Sequence, residues 1–383
     1  MNKAVRKPLS ELADIIMGQS PDSESYNNKG DGIPFYQGKS DFGVVHPTVR
    51  MYCNAPKKIA IANDILMSVR APIGDVNIAQ DKCCIGRGLA AIRPKEHTNL
   101  KYLFYVLDYY KERLAEQGTG STFKAIGKDI LNEFSIPAWD SQTQQSIANT
   151  IDEIQELIFN RQKALSVLDE LVKSRFVEMF GDPVLNPMGW ETASIRDTSE
   201  LISDGPFGSN LKSSHYVADG IRVIRLGNIG AGKFLDDDKA YISEEHYETL
   251  KKYTCHAGEI VIGTLGEPNL RACLIPEDIA ISVNKSDCVH FIPKSDMLNN
   301  TYACAYLNTD GALQLAQGSL HGQTRSRIAM SQVAALPIML PPLELQNQFA
   351  DFVALADKSE LTLGKSLAEL ETLKASLMQE YFG

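Results

Sequence analysis

The chain has 383 residues, 44% hydrophobic and 22% charged, with a formal net charge of −10 at pH 7. That is the composition of a soluble protein with room for two or three domains. No apolar run is long enough to span a membrane, and Met1-Asn2-Lys3-Ala4-Val5-Arg6, followed by Lys7-Pro8, has no apolar signal core, so a cytoplasmic protein is expected.

Residues 1–140 read as a mixed α/β segment. Apolar runs at Ile59-Ala60-Ile61 and Ile65-Leu66-Met67 predict strands, with turn-rich stretches such as Gly18-Gln19-Ser20-Pro21 between elements. A helix is expected near 99–116, then a glycine-rich loop and a strand. Residues 141–182 predict one long helix. Ser141-x-x-Gln144 fits a capping box. From Ile147, steps of four and three reach Ile151, Ile154, Ile158, Arg161, Leu165, Leu168, Val172, Arg175 and Met179, a coiled-coil seam that Gly181 would stop.

Residues 183–341 repeat the mixed pattern, with strands expected at Gly220-Ile221-Arg222-Val223-Ile224 and Glu259-Ile260-Val261-Ile262, a turn at Asp204-Gly205-Pro206-Phe207-Gly208 and a helix near 299–316. Residues 342–383 give a second seam: Phe349, Val353, Ala356, Glu360, Leu363, Leu367, Leu370, Lys374, Leu377 and Tyr381. At 1.5 Å per residue each helix would run roughly 55 Å. One seam alone would stay wet, so the helices are expected to pair, antiparallel being the simpler arrangement.

The two halves are copies. Asn99 through Leu107 matches Asn300 through Leu307 at an offset of about 200, and Gln117-Gly118 falls on Gln317-Gly318. Thr143-Gln144 matches Leu345-Gln346, and Phe180-Gly181 matches Phe382-Gly383, both at 202. Upstream, Asp64-Ile65 pairs with Glu259-Ile260 at 195 and Ile16 with Ile202 at 186. A kept frame with divergent loops suits one kind of job done twice on different targets.

The net acidity argues against nucleic acid only until it is located. Residues 141–180 carry −2 and residues 342–383 carry −4, so the remainder is mildly acidic and has room for basic patches. Loops 117–124 and 317–325 occupy equivalent places. Their Thr119, Ser121, Thr122, Gln323 and Thr324 can meet a phosphate or a base edge, with Lys124, Lys128, Arg325 and Arg327 beside them. The turn residues Gln19, Ser20, Ser209, Asn210 and Lys212, the loop residues Lys39 and Asn228, and Arg70, Arg222 and Arg225 at or near strands complete the DNA-contact candidates. Solvated surface charge is the plain alternative for each. Gly127-Lys128-Asp129 is no nucleotide P-loop, since it lacks the hydroxyl and position 122 is Thr.

No enzyme motif is complete. Pro341-Pro342 is followed by Leu343, not the aromatic of an amino-methyltransferase, and neither G-x-S-x-G nor H-E-x-x-H occurs. Pro21-Asp22 has no acid two residues before Lys29 to complete a nuclease cluster, and Asp237-Asp238-Lys239 reads as a solvated turn. The seven histidines show no ligand spacing, and the seven cysteines read as reduced core thiols, so no metal site is expected.

Leu171-Val172-Lys173-Ser174-Arg175-Phe176-Val177-Glu178-Met179-Phe180-Gly181-Asp182-Pro183, with Asn186-Pro187-Met188-Gly189-Trp190, resembles the central conserved region of type I restriction–modification specificity subunits. Ile136-Pro137 and Ile338-Met339-Leu340-Pro341-Pro342-Leu343 resemble its strand-to-helix junctions, although Ala138-Trp139-Asp140 replaces the usual proline-rich run. The resemblance implies two pseudo-symmetric α/β target recognition domains (1–140 and 183–341) separated by two conserved helices (141–182 and 342–383). It implies a non-catalytic subunit whose domains each read half of an asymmetric DNA site. The helices would space the domains and dock two methyltransferase subunits, which hold S-adenosylmethionine. Nuclease/translocase subunits would join, and this chain itself would carry no cofactor. The competing readings are a coiled-coil adaptor that binds protein rather than DNA, and an enzyme with its site between the halves.

Overall fold

A computed structural model of the chain describes residues 4–120, 124–318 and 327–383. The chain forms two compact units, Met1–Gln162 with Lys365–Gly383, and Lys163–Gly364.

In the first unit, an antiparallel sheet has the order Ala13–Met17, Leu89–Pro94, Ile65–Ser68, Val76–Ile78. A second, mixed sheet runs Tyr26–Asn27, Tyr52–Cys53, Ile33–Tyr36, Cys83–Ile85, Ile59–Ala60, with Ile33–Tyr36 and Cys83–Ile85 parallel. Val5–Pro8 pairs with Ser135–Ala138. The strands are short apolar runs because both faces are covered: Ile65, Leu66 and Met67 are all buried, Ile65 and Met67 in the main core and Leu66 in a smaller one. The helix Leu100–Tyr109 closes the main core with Tyr102, Leu103, Val106 and Leu107.

The second unit repeats this order. Its antiparallel sheet runs Ser199–Ser203, Cys288–Pro293, Ile260–Gly263, Arg271–Leu274. Its mixed sheet runs Tyr216–Val217, Tyr241–Ile242, Ile221–Ile224, Ile281–Asn284, Thr254–His256, again with one parallel pair. Thr192–Ser194 pairs with Pro337–Met339, and the helix Asn300–Leu307 closes the core. The register corrects one expected match. Ile260 faces Phe291, which faces Ile202, while Ile65 faces Ile92, which faces Ile15. Ile202 therefore corresponds to Ile15, not Ile16; with a side-chain period of two, the slip would put the residue on the wrong face.

The long helices span Ser141–Phe180 and Leu343–Phe382. In the first unit Ile147 and Ile151 share a core with Met378 and Phe382, and Arg161 Nε donates to Ser366 Oγ at 3.3 Å. In the second, Phe176 and Phe180 share a core with Phe349, and the Arg175 guanidinium lies 5.9 Å from the Phe352 ring centre. In each unit the helix segments thus run antiparallel. All ten seam positions on each helix are buried or half-buried, including Ile151, Ile154, Ile158, Leu165, Leu168, Leu363, Leu367, Leu370 and Leu377. Gly181, at φ +83, ends the first helix in the left-handed conformation that favours glycine.

The first helix start departs from the expected capping box. Asp140 is the cap: its Oδ1 accepts from the N–H groups of Gln142 and Thr143 at 3.1 and 3.0 Å. A carboxylate one residue earlier serves those donors better than Ser141, and it frees Gln144 for another task. Gln144 is buried; its Oε1 accepts from Asn99 N–H at 2.8 Å and its Nε2 donates to Trp139 O at 2.7 Å. Gln346 does the same in the second unit, accepting from Asn299 N–H and donating to Pro341 O, both at 2.8 Å.

Candidate nucleic-acid interface

Five strand ends meet at one end of the first domain. Gly18 N–H donates to Leu89 O, Gln19 N–H to Ile85 O, Gly86 N–H to Tyr36 O and Val69 N–H to Gly88 O, at 2.8 to 3.0 Å. Ile126 N–H adds the segment after the glycine-rich loop by donating to Val69 O at 3.0 Å. The second domain is built alike: Lys285 N–H donates to Ile224 O, Thr264 N–H to Asp287 O and Ile328 N–H to Thr264 O. Gly205 lies so close to Asn284 and Lys285 that a Cβ would meet their main chain at about 2.5 Å.

This end gathers many of the sequence candidates. In the first domain Gln19 and Arg70 are exposed, and Arg70 and Thr119 both form bridges to Ala125. Lys124 is exposed, and the half-buried Ser20 accepts from Arg87 N–H at 3.5 Å. Lys39 Nζ lies 2.8 Å from Asp75, which also pairs with Lys111. Although burial alone would raise it, these two lysines hold the Asp75 carboxyl below its usual range. Lys128 is exposed where it opens the helix Lys128–Glu133. Ser121, Thr122, Gln323, Thr324 and Arg325 lie outside the described residues.

In the second domain Ser209 and Asn210 form an exposed turn, followed by exposed Lys212. Arg222 is not at the surface. It is buried, donates to Asp236 Oδ1 at 2.7 Å and lies over Tyr241, so it braces the acidic turn rather than facing a ligand. Asn228 is likewise consumed by the frame, its Nδ2 donating to the carbonyls of Leu235 and Asp238. The acidic turn expected to be solvated is exposed but anchored by these bonds. Arg225 pairs with Asp238 while keeping 26% exposure. Arg327 pairs with Asp287 at 2.6 Å. The loop that holds Lys39 is equivalent to the one that holds Gly227-Asn228, with Lys39 itself at the place of Leu226: Phe42 N–H donates to Lys39 O as Ile229 N–H does to Leu226 O.

Sequence reading missed Gln37, Arg87, Lys285 and Tyr216 at these ends. Aligning Ile33-Pro34-Phe35-Tyr36-Gln37 on Ile221-Arg222-Val223-Ile224-Arg225 would have found Gln37. Among the described residues no three His, Cys, Asp or Glu side chains are placed to hold a metal. All seven cysteines are free and buried, and burial pushes the Cys83 and Cys288 thiols up to about 12, which makes them poor nucleophiles. No described helix is long and apolar enough to cross a membrane.

Residues 1–167 and 187–372 match the family described as type I restriction modification DNA specificity domain. The chain belongs to that family. A putative type I restriction enzyme MjaX specificity subunit from Methanocaldococcus jannaschii is 46% identical over 160 residues, which are 42% of this chain and 38% of that protein. The MjaIX specificity subunit of the same organism is 22% identical over 402 aligned residues, covering 97% of this chain and 91% of its own. The crystal structure of the type I restriction–modification S subunit from M. genitalium shares the fold over 100% of this chain and 97% of that one, with a TM-score of 0.59 and 18% identity. In this specificity-domain chain the two sheet-bearing domains alternate with the two long helices, and the convergent strand ends form the candidate DNA interface.

Proposed function

We propose that the chain selects a bipartite DNA sequence for a type I restriction–modification complex, each domain reading one half-site. One observation carries this reading. The same scaffold end is built twice on equivalent backbone bonds, yet bears different side chains at equivalent places, as a reader of two unlike half-sites requires. Exposed Arg70, Arg87 and Lys124 in the first domain supply cations for the phosphate backbone, despite the acidic chain.

The helices serve as spacers and as a platform for two methyltransferase subunits. Phe159 and Leu361 are 63% and 61% exposed, Leu171 and Leu373 47% and 46%, and each pair is 202 residues apart. Each unit therefore carries one residue of each pair, which suits two copies of one partner. This subunit neither cuts nor methylates; S-adenosylmethionine belongs to the methyltransferase, and nuclease/translocase subunits complete a cytoplasmic complex.

Replacing residues 183–341 with the same segment of a relative, followed by mapping of modified bases, tests the proposal. One half of the motif should change and the other persist. A palindromic motif, or a change in both halves together, would contradict two independent readers.

A further inference from the structure

Tyr36 and Ile224 close the parallel strand pairs of their domains, their carbonyls accepting from Gly86 N–H at 2.8 Å and Lys285 N–H at 2.9 Å. The next residue is Gln37 in one domain and Arg225 in the other. Each has its backbone N–H fixed by the side chain that ends the following turn: Asp41 Oδ2 accepts from Gln37 at 2.7 Å, and Asn228 Oδ1 from Arg225 at 2.9 Å. Downstream the frames still agree, with Thr48 N–H on Asp41 O and Leu235 N–H on Asn228 O, both at 2.8 Å. Two different polar side chains thus stand at one place on two copies of one scaffold.

We infer that Gln37 and Arg225 are paired specificity-determining residues, Gln37 reading adenine in one half-site and Arg225 reading guanine in the other. This rests on the DNA-reading function proposed above. A glutamine amide offers one donor beside one acceptor, the complement of adenine N6 and N7. A guanidinium offers two parallel donors, the complement of guanine O6 and N7.

The surroundings favour base edges over phosphates. Gln37 is exposed and uncharged, so it lacks the charge that holds a backbone phosphate, and its Nε2 donates to Met51 Sδ at 3.6 Å. Lys39 and Arg87 nearby are placed to take the phosphates instead. Arg225 lies over the Tyr216 ring at 5.6 Å, and Lys285 Nζ donates to the Tyr216 hydroxyl at 3.1 Å. Stacking and the fixed backbone reduce the entropy lost when the fork docks. The consecutive carboxylates Asp236, Asp237 and Asp238 repel a phosphate here but not a neutral guanine edge. Asp238 is 57% exposed, so its pair with Arg225 is weak enough to be exchanged for a base.

The test is selection from a randomised duplex pool by the full chain in its assembled complex, wild type against Arg225→Gln, Arg225→Lys and Gln37→Arg, with melting curves to confirm folding. The wild-type motif should hold an A·T pair in one half and a G·C pair in the other. Arg225→Gln should change or relax that G·C position alone and weaken cognate binding roughly 5- to 150-fold, the equivalent of losing one bidentate contact. Arg225→Lys, which keeps the charge but loses the fork, should relax the same position, and Gln37→Arg should alter only the other half. Uniform weakening with an unchanged motif would make Arg225 a phosphate contact and overturn the assignment, as would folded variants with unaltered motifs. A wild-type complex that enriches no motif overturns the DNA-reading function itself, and this inference with it.

Discussion

The rings of Phe180 and Tyr302 meet edge to face with centroids 4.7 Å apart. Phe180 ends the first long helix, and Tyr302 belongs to the second domain, where its hydroxyl donates to Met339 O at 3.0 Å. The copy in the first unit is Phe382 against Tyr102, at 5.7 Å, with the Tyr102 hydroxyl on Pro137 O at 2.9 Å. Each domain is therefore sealed by the last phenylalanine of the helix that the other half of the sequence supplies. Both phenylalanines are fully buried.

Phe180→Ala is expected to cost about 3–5 kcal/mol, the range for emptying a buried aromatic site. Phe382→Ala should cost a similar amount. Denaturant melts of the full chain check both, and a loss under about 1 kcal/mol in either would mean that the aromatic cluster repacks around the gap.

Gln144→Ala and Gln346→Ala should each destabilise the unit that holds them. Removing Gln346 leaves Asn299 N–H and Pro341 O without the partners they have at 2.8 Å. Each buried group left unmet costs about 1–3 kcal/mol. Glutamate at either position keeps the acceptor and loses the donor, so it should not restore stability at neutral pH.

The helices were legible because a seam repeats over forty residues, and Leu168→Asp tests that seam. A carboxylate at this half-buried position should cost about 1–3 kcal/mol and weaken any partner bound to the helices. Unchanged melting and unchanged partner binding would remove Leu168 from the seam.

The domains were legible as duplicated α/β frames, because the offsets near 200 survive in helices, caps and the buried glutamines. The site was legible only in part. Arg222 and Arg225 are both arginines near one strand, and sequence cannot tell that the first is buried under Asp236 while the second reaches the surface. Gln37 escaped notice because a single neutral side chain in a turn carries no pattern until its strand is aligned on Ile221–Ile224. Asn228 looked like a base reader and serves the frame instead, since an asparagine suits either task equally.

His290 supplies a pH test in the second unit. Burial holds its imidazole below the usual range, despite the Glu259 carboxylate 2.7 Å from Nε2. The unfolded chain therefore takes up the proton first, and stability should fall as pH drops below about 6.5, the ordinary histidine value. His290→Gln, uncharged at every pH, should flatten that part of the curve. An equally steep loss in the variant would assign the pH dependence to other groups.

The Lys233 pKa is shifted the other way, upward. Lys233 Nζ lies 2.8 Å from Asp169 and 2.7 Å from Glu360, one carboxylate on each long helix, and so ties the turn closed by the Ile229–Phe234 bridge to both. Burial alone would lower its pKa, but these carboxylates win and raise it. Asp357 stands close by with its carboxyl raised, chiefly by burial and then by the Glu360 charge, and Lys233 works against that rise. Lys233→Ala leaves three acids, Asp169 on one helix and Asp357 and Glu360 on the other, without their shared cation. Because Lys233 is 45% exposed, solvent screening limits the loss at neutral pH to about 1 kcal/mol. Acidification then protonates the crowded carboxylates and relieves their repulsion. The gap between variant and wild type should therefore shrink as pH falls through the carboxylate range, and added salt should shrink it too. A deficit that stays constant from neutral pH to about 4 would mean that Lys233 acts through its packed methylene stem rather than its charge.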